Sequence, residues 1–279
     1  FAWLTDFVGY LPMVGGPDDR EAFVAADYNA EMIEQVARFK RIRDASLYVG
    51  EAPDIVPDAF GPELPLIADW VADRDGWLHV DGAFGLWARA DPDRSALVAG
   101  LDRADSWATD GHKWLNVSYD CGIAFVRRLD DLRRSFAAVA GYLPADDGFE
   151  AMHHTPQSSQ RARQFEVWSV LRTLGRDGVA ALVADACAAA TRIADRLRAG
   201  GLTILNDVVL NQVLVRHLDG ATTAALVAAI QADGRIWCGP TQWDGETALR
   251  VSVSSWKTGP ADADAAADVI LECASRIRA

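Results

Sequence analysis

Lysine is almost missing from this sequence: Lys40, Lys113 and Lys257 stand against 24 arginines in 279 residues. A lysine set among chemically informative neighbours is therefore conspicuous. Cysteine is scarce too. The four, at positions 121, 187, 238 and 273, have no CxxC spacing. That excludes a zinc ribbon or a disulfide framework and predicts reduced, mostly buried thiols in a cytoplasmic protein. No apolar run reaches the roughly 20 residues of a membrane helix, so no span is expected. Positive charge is in deficit, with 27 basic against 40 acidic residues and a net charge of −13. Such a chain repels phosphate backbones and anionic lipid, so neither nucleic acid nor a membrane is an expected partner.

What is present is the composition of a globular protein, half hydrophobic and a quarter charged. The chain opens on Phe1 rather than Met, and the expectation is that an upstream part is not included. Residues 30–42 carry helical apolar spacing, and 51–65 is rich in proline. From Leu64 onward short apolar runs alternate with helical patterns. Helices are expected at 66–72, 95–101, 161–174, 177–199, 222–232 and 261–278. Strands are expected at 77–80, 104–109, 122–126, 202–205, 212–217, 235–238 and 248–254. The segment 141–160 is polar and loop-like. The alternation predicts an α/β fold with a mostly parallel sheet, followed by a small α+β unit. The division is placed at residues 1–175 and 176–279, with the first unit incomplete on its N-terminal side.

Two residues stand out chemically. Asp81 ends the apolar run Trp77–Val80 and is followed by small residues. An acid at the carboxyl end of such a strand is placed to touch a ligand; it can equally cap the next helix. Lys113 follows the next strand, between His112 and Trp114. Partial burial beside another cation would make its amine a usable nucleophile, although a snorkelling lysine would show the same pattern. Together they match one cofactor. Pyridoxal phosphate requires a lysine for its Schiff base and an acid at its pyridine nitrogen.

The motifs His79-Val-Asp-Gly-Ala-Phe-Gly85 and Asp105-Ser-Trp-Ala-Thr-Asp-Gly-His-Lys-Trp114 resemble the group II pyridoxal-phosphate-dependent amino-acid decarboxylases. These have fold type I, the aspartate-aminotransferase-like fold. Similarity continues through Tyr119-Asp-Cys-Gly122, Gln160-Arg-Ala-Arg163, Asn211-Gln-Val-Leu-Val-Arg216 and Ala248-Leu-Arg-Val-Ser252. The resemblance implies that Lys113 carries the cofactor and that Asp81 pairs with its ring nitrogen. It also implies that Ala83 packs on the ring and that His112 lies near the phosphate with Asp110 beside it. Arg250 resembles the arginine that pairs with a substrate carboxylate; a structural ion pair is the alternative.

The resemblance further implies decarboxylation of an L-amino acid to an amine and CO2, in a homodimer; the segment Gln160–Leu174, with Phe165 and Trp168, is the expected source of apolar contact area. An aminotransferase, a carbon–sulfur lyase or a non-catalytic homologue would share the same motifs. The family's Gly-Gly-Thr phosphate loop is missing, and no histidine precedes His79 to stack on the ring. The family's loop tyrosine that returns a proton to the α-carbon is also missing after Tyr142. His153, next to His154, is the candidate replacement, against the alternative of a solvated histidine pair. No metal site is expected, since the pair has no evident third ligand.

Overall fold

In a computed structural model of the protein, the residues described are 64–73, 76–136, 150–155 and 160–277. The expected helix at 30–42 and most of the loop at 141–160 lie outside them. Helix α1 (Leu64–Ala72) precedes strand β1 (His79–Asp81), three short 3-10 turns and strand β2 (Ser106–Asp110). Strand β3 (Gly122–Val126) and helix α2 (Leu129–Phe136) follow. The long helix α3 (Arg163–Ala199) leads to β4 (Thr203–Ile204), β5 (Gln212–Arg216) and α4 (Gly220–Asp233). Strands β6 (Gly239–Trp243) and β7 (Glu246–Ser252) then precede helix α5 (Pro260–Ser275).

Two sheets result. The first has the order β1-β2-β3, with β1 and β2 parallel and β3 antiparallel to β2. The second is antiparallel throughout, in the order β4-β5-β7-β6. The parallel pair matters most for function, because it brings the carboxyl ends of β1 and β2 to the same edge. Side chains reinforce the pairing. The Asp105 carboxylate accepts the Leu78 N–H at 2.9 Å, and the buried Ser106 hydroxyl accepts from the Trp77 indole at 2.8 Å.

Helix α3 contains a break at Gly175, whose φ of 63° and ψ of −170° are not helical. Two helices, 161–174 and 177–199, were expected from sequence, and the break falls between them. The second half buries Val179, Val183, Ala186, Ala190, Ile193 and Leu197 on one face, the 3.6-residue spacing of a core-facing helix. That face packs on α5 through Ala263, Ala267 and Ile270. Small alanines on both sides allow close approach, and burial at about 25 cal/mol per Å² of apolar surface drives it. Flanking the seam, Arg192 makes a two-pronged ion pair with Asp264 at 2.7 Å.

The expected strand at 235–238 is not formed; β6 lies immediately after it, and Trp237 is exposed. The physical reason is the hairpin to β7. Trp243 pairs with Glu246 across Asp244-Gly245, both with positive φ (51° and 77°). An Asp-Gly turn of this kind fixes the register of both strands. Pro240 is accommodated because β6 is an edge strand. Helix α2 was not expected from sequence and has no buried side chain.

All four cysteines are buried and free of disulfides. No helix among the described residues is long and apolar enough to cross a membrane.

Candidate active site

The parallel register pairs Asp81 with Ala108. Side chains alternate across a sheet, so Asp110, two residues beyond Ala108, projects on the same side as the residue opposite Asp81. Lys113 follows on the turn after β2. Its Nζ is 3.1 Å from the Asp110 carboxylate and 4.1 Å from the centre of the Phe84 ring. The lysine and Asp110 side chains retain 22% and 14% of their exposure. The ammonium is thus largely withdrawn from water, between an anion and an aromatic face. Burial pushes Asp110 above its usual carboxylate value, and the charge of Lys113 is the largest opposing influence.

Small residues and a threonine hold Asp81 in place. Gly82 donates its N–H to the Ala108 carbonyl at 2.7 Å. A Cβ at Gly82 would lie 2.6 Å from Leu86 Cβ and 3.1 Å from the Ala108 oxygen, so the close approach requires glycine. The buried Thr109 hydroxyl donates to the Gly82 carbonyl at 3.0 Å and accepts from the Trp87 indole at 2.8 Å. The Asp81 carboxylate is exposed and accepts the Ala83 N–H at 3.1 Å. Ala83 and Phe84 form the turn that leads from the end of β1 into the 3-10 turn Gly85–Ala90.

His112 points back toward β3. Its Nδ1 lies 3.0 Å from the Cys121 nitrogen and 3.1 Å from the Cys121 oxygen. The neutral tautomer with Nδ1 unprotonated accepts the first bond; the other tautomer donates the second. Burial is the main cause lowering its pKa below the usual imidazole value. The Tyr119 ring lies 4.2 Å away, centre to centre. Behind the turn, Trp114 is buried in the core and anchors the backbone that carries Lys113.

The structure therefore brings together Asp81, Ala83, Asp110, His112 and Lys113. Arg250 stands in the middle of β7, opposite Leu214 and Gly239. His153 is on the 3-10 turn Ala151–His153, which packs against α2. Its Nδ1 is buried and receives no hydrogen bond among the described residues. Of the tryptophans around this region, Trp114 is in the core and Trp237 is 78% exposed. Two contributors were missed in the sequence. Phe84 lies under the lysine, and Asn116 ties the lysine turn to residues 254–256. Asparagine is among the few residues that tolerate left-handed backbone, and one just after a turn is the signal that points to position 116.

Residues 62–216, more than half of the chain, match the pyridoxal-dependent decarboxylase conserved domain. An L-2,4-diaminobutyrate decarboxylase from Rhizobium meliloti (strain 1021) is 27% identical over 268 residues, covering 89% of this chain and 53% of that protein. A histidine decarboxylase from Drosophila melanogaster is 29% identical over 199 residues, covering 67% of this chain and 23% of its own length. Among solved structures, the Oryza sativa TDC with PLP and tryptamine superposes with a TM-score of 0.71 at 21% identity. That match covers 76% of this chain and 47% of the other. The chain thus spans about half the length of these relatives, or less. It belongs to the pyridoxal-dependent decarboxylase family and has the fold-type-I architecture of that family.

Proposed function

We propose that this chain carries the cofactor lysine and the ring-nitrogen acid of a pyridoxal-phosphate-dependent decarboxylase. Its substrate would be an L-amino acid, and its products an amine and CO2. The observation that carries this reading is that β1 and β2 are parallel neighbours, with Asp81 at the end of the first and Lys113 on the turn after the second, its Nζ 3.1 Å from Asp110. The residues present fit the group: a largely buried primary amine, a carboxylate at the neighbouring strand end, and small residues Gly82 and Ala83 leading away from it. Similarity to a diaminobutyrate and a histidine decarboxylase supports the same reading.

In this account Lys113 Nζ supplies the amine that holds the cofactor. Asp110 Oδ2, 3.1 Å away, accepts the proton that the ammonium must release. Its elevated proton affinity, a consequence of burial, suits it to that transfer. Asp81 would hold the ring nitrogen of the group and favour its protonated form, Ala83 would offer the ring a small apolar surface, and His112 would be the residue nearest its phosphate. When bound, pyridoxal phosphate supplies the electron sink that takes up the pair left by the departing carboxylate. Arg250 offers a guanidinium to the substrate carboxylate, and the buried Nδ1 of His153 is the candidate for proton return. The division into a cofactor-binding unit, 1–175, and a smaller unit, 176–279, belongs to the same proposal.

A homodimer is part of the reading. Phe165, Trp168, Leu171 and Leu174 recur every third residue along the first half of α3, and all are exposed. Phe165 and Trp168 stack with ring centres 6.1 Å apart, and exposed apolar side chains of this kind suit a contact with a second copy of the chain. Sedimentation at micromolar concentration is expected to show a dimer; a fully active monomer would remove this element.

The direct test is product analysis. The protein loaded with pyridoxal phosphate is incubated with a panel of L-amino acids, and amine, CO2 and keto acid are measured. Amine and CO2 in equal amounts support decarboxylation. Keto acid without CO2 would instead indicate amino transfer or elimination, and no turnover with any amino acid would indicate a non-catalytic homologue.

A further inference from the structure

Three residues beyond Lys113, Asn116 closes the turn with its backbone in the left-handed region, φ 53°. Its side-chain amide works in two directions. Nδ2 lies 3.2 Å from the Lys113 carbonyl and 2.7 Å from the Trp114 carbonyl, within the lysine turn itself. The same Nδ2 lies 2.9 Å from the carbonyl of Ser254, and Oδ1 accepts the Trp256 N–H at 3.1 Å. Those partners are 138 and 140 residues away. An amide has two N–H donors, so three carbonyls share them.

The distant partner is itself held. The buried side chain of Asn211 donates to the Val253 carbonyl at 2.7 Å, and the Val253 N–H donates to the Asn211 carbonyl at 2.9 Å. The Ser252 hydroxyl donates to the Gln212 side chain at 2.6 Å. The exit of β7 is therefore gripped from β5 on one side and from the lysine turn on the other. Arg250 lies two residues upstream of that exit.

We propose that Asn116 is a positioning residue for Lys113, locking the lysine turn to the segment Ser254–Trp256 so that the amine and the β7 strand keep a fixed spacing. The proposal rests on the reading of Lys113 as the cofactor lysine. It differs from a purely structural role because the carbonyls held are those of Lys113 and Trp114. Their displacement moves the amine directly, and a 1 Å misplacement of a reacting group costs about a hundredfold in rate.

Two variants of the full chain test it. Asn116→Gly keeps the left-handed backbone accessible and removes the amide. Asn116→Asp keeps the acceptor for Trp256 but loses the donors to the three carbonyls. Amide hydrogen exchange is measured without cofactor at Lys113–Val117 and at Ser254–Lys257; kcat and KM are measured with it. In Asn116→Gly, exchange at Trp256 is expected to rise about tenfold or more, and kcat to fall about tenfold or more with KM within about twofold. In Asn116→Asp, Trp256 stays protected while kcat falls comparably.

Borohydride reduction of the loaded proteins locates the cofactor lysine in parallel. If wild type carries label at Lys113 and Asn116→Gly changes neither Trp256 exchange nor kcat, the positioning role is refuted alone. If wild type carries no label at Lys113, the cofactor reading fails and takes the positioning role with it.

Discussion

Replacing Gly82 with alanine tests the site geometry where it is tightest. A Cβ built there lies 2.6 Å from Leu86 Cβ and 3.1 Å from the Ala108 oxygen. Carbon atoms settle about 3.5–4.0 Å apart, so one neighbour must yield by roughly 1 Å. Neither is free to do so. Leu86 Cβ is fixed to the backbone of the 3-10 turn Gly85–Ala90. The Ala108 oxygen is backbone of β2 and already accepts the Gly82 N–H at 2.7 Å. The strain has to open the end of the β1–β2 pair, which carries Asp81 away from the Lys113 turn. Overpacking of this kind costs about 1–3 kcal/mol of stability, and a shift near 1 Å at a reacting group costs about a hundredfold in rate. Chemical denaturation reads the first effect, and turnover at saturating cofactor reads the second. Gly239→Ala is the control, because no atom lies within 4 Å of a Cβ there; a change within about 0.5 kcal/mol is expected. If Gly82→Ala matched that control in both stability and turnover, the close β1–β2 approach would not be what sets the site.

Asp81→Asn keeps size and some hydrogen bonding but removes the charge. It is expected to bind pyridoxal phosphate with some loss of affinity and to turn over several tenfold steps more slowly, each step being about 1.4 kcal/mol; Asp81→Glu should also be poor. Near-wild-type turnover in Asp81→Asn at saturating cofactor would reduce the acid to a cap on the Ala83 N–H. Stability should depend on pH in a defined direction. Burial lowers the pKa of both His79 and His112 below the ordinary 6.5. The unfolded chain therefore binds protons first, so stability is full above pH 6.5 and is lost as pH falls from there toward the folded values. His79→Gln should flatten that part of a denaturation-versus-pH curve, and an unchanged slope would contradict the assignment. Asp110 acts with the opposite sign: its raised pKa makes it lose stability as pH rises from 3.8 to its folded value.

The sequence was most informative where chemistry and periodicity coincide. The β1 and β2 strands, the acid at the end of the first and the lysine after the second were all readable, because an acid and one of only three lysines follow two short apolar runs about thirty residues apart. The alanine-rich second half of α3 was readable from its composition and the Gly200-Gly201 that closes it, and the break at Gly175 falls between the two helices expected there. Other features depend on contacts that no local pattern encodes. The strand expected at 235–238 was drawn to its apolar residues, whereas the Asp244-Gly245 turn fixes the hairpin a few residues later. Helix α2 is polar and buries nothing, so it has no apolar stripe to announce it. Phe84 beneath Lys113 and the grip of Asn116 on residues 254–256 depend on tertiary placement, the latter across more than 130 residues. The pairing of Lys113 with Asp110 was legible as a neighbourhood, not as a 3.1 Å ion pair.

The central claim is that Lys113 holds the cofactor. The most direct measurement is borohydride reduction of the protein loaded with pyridoxal phosphate, followed by peptide mapping. The sequence offers only three lysines as acceptors, so the result is unambiguous. The account predicts a pyridoxyl group on the peptide containing Asp110-Gly-His-Lys113, and loss of that label in Lys113→Ala. A label on Lys40 or Lys257 in the wild-type protein, or label surviving at full level in Lys113→Ala, would contradict it.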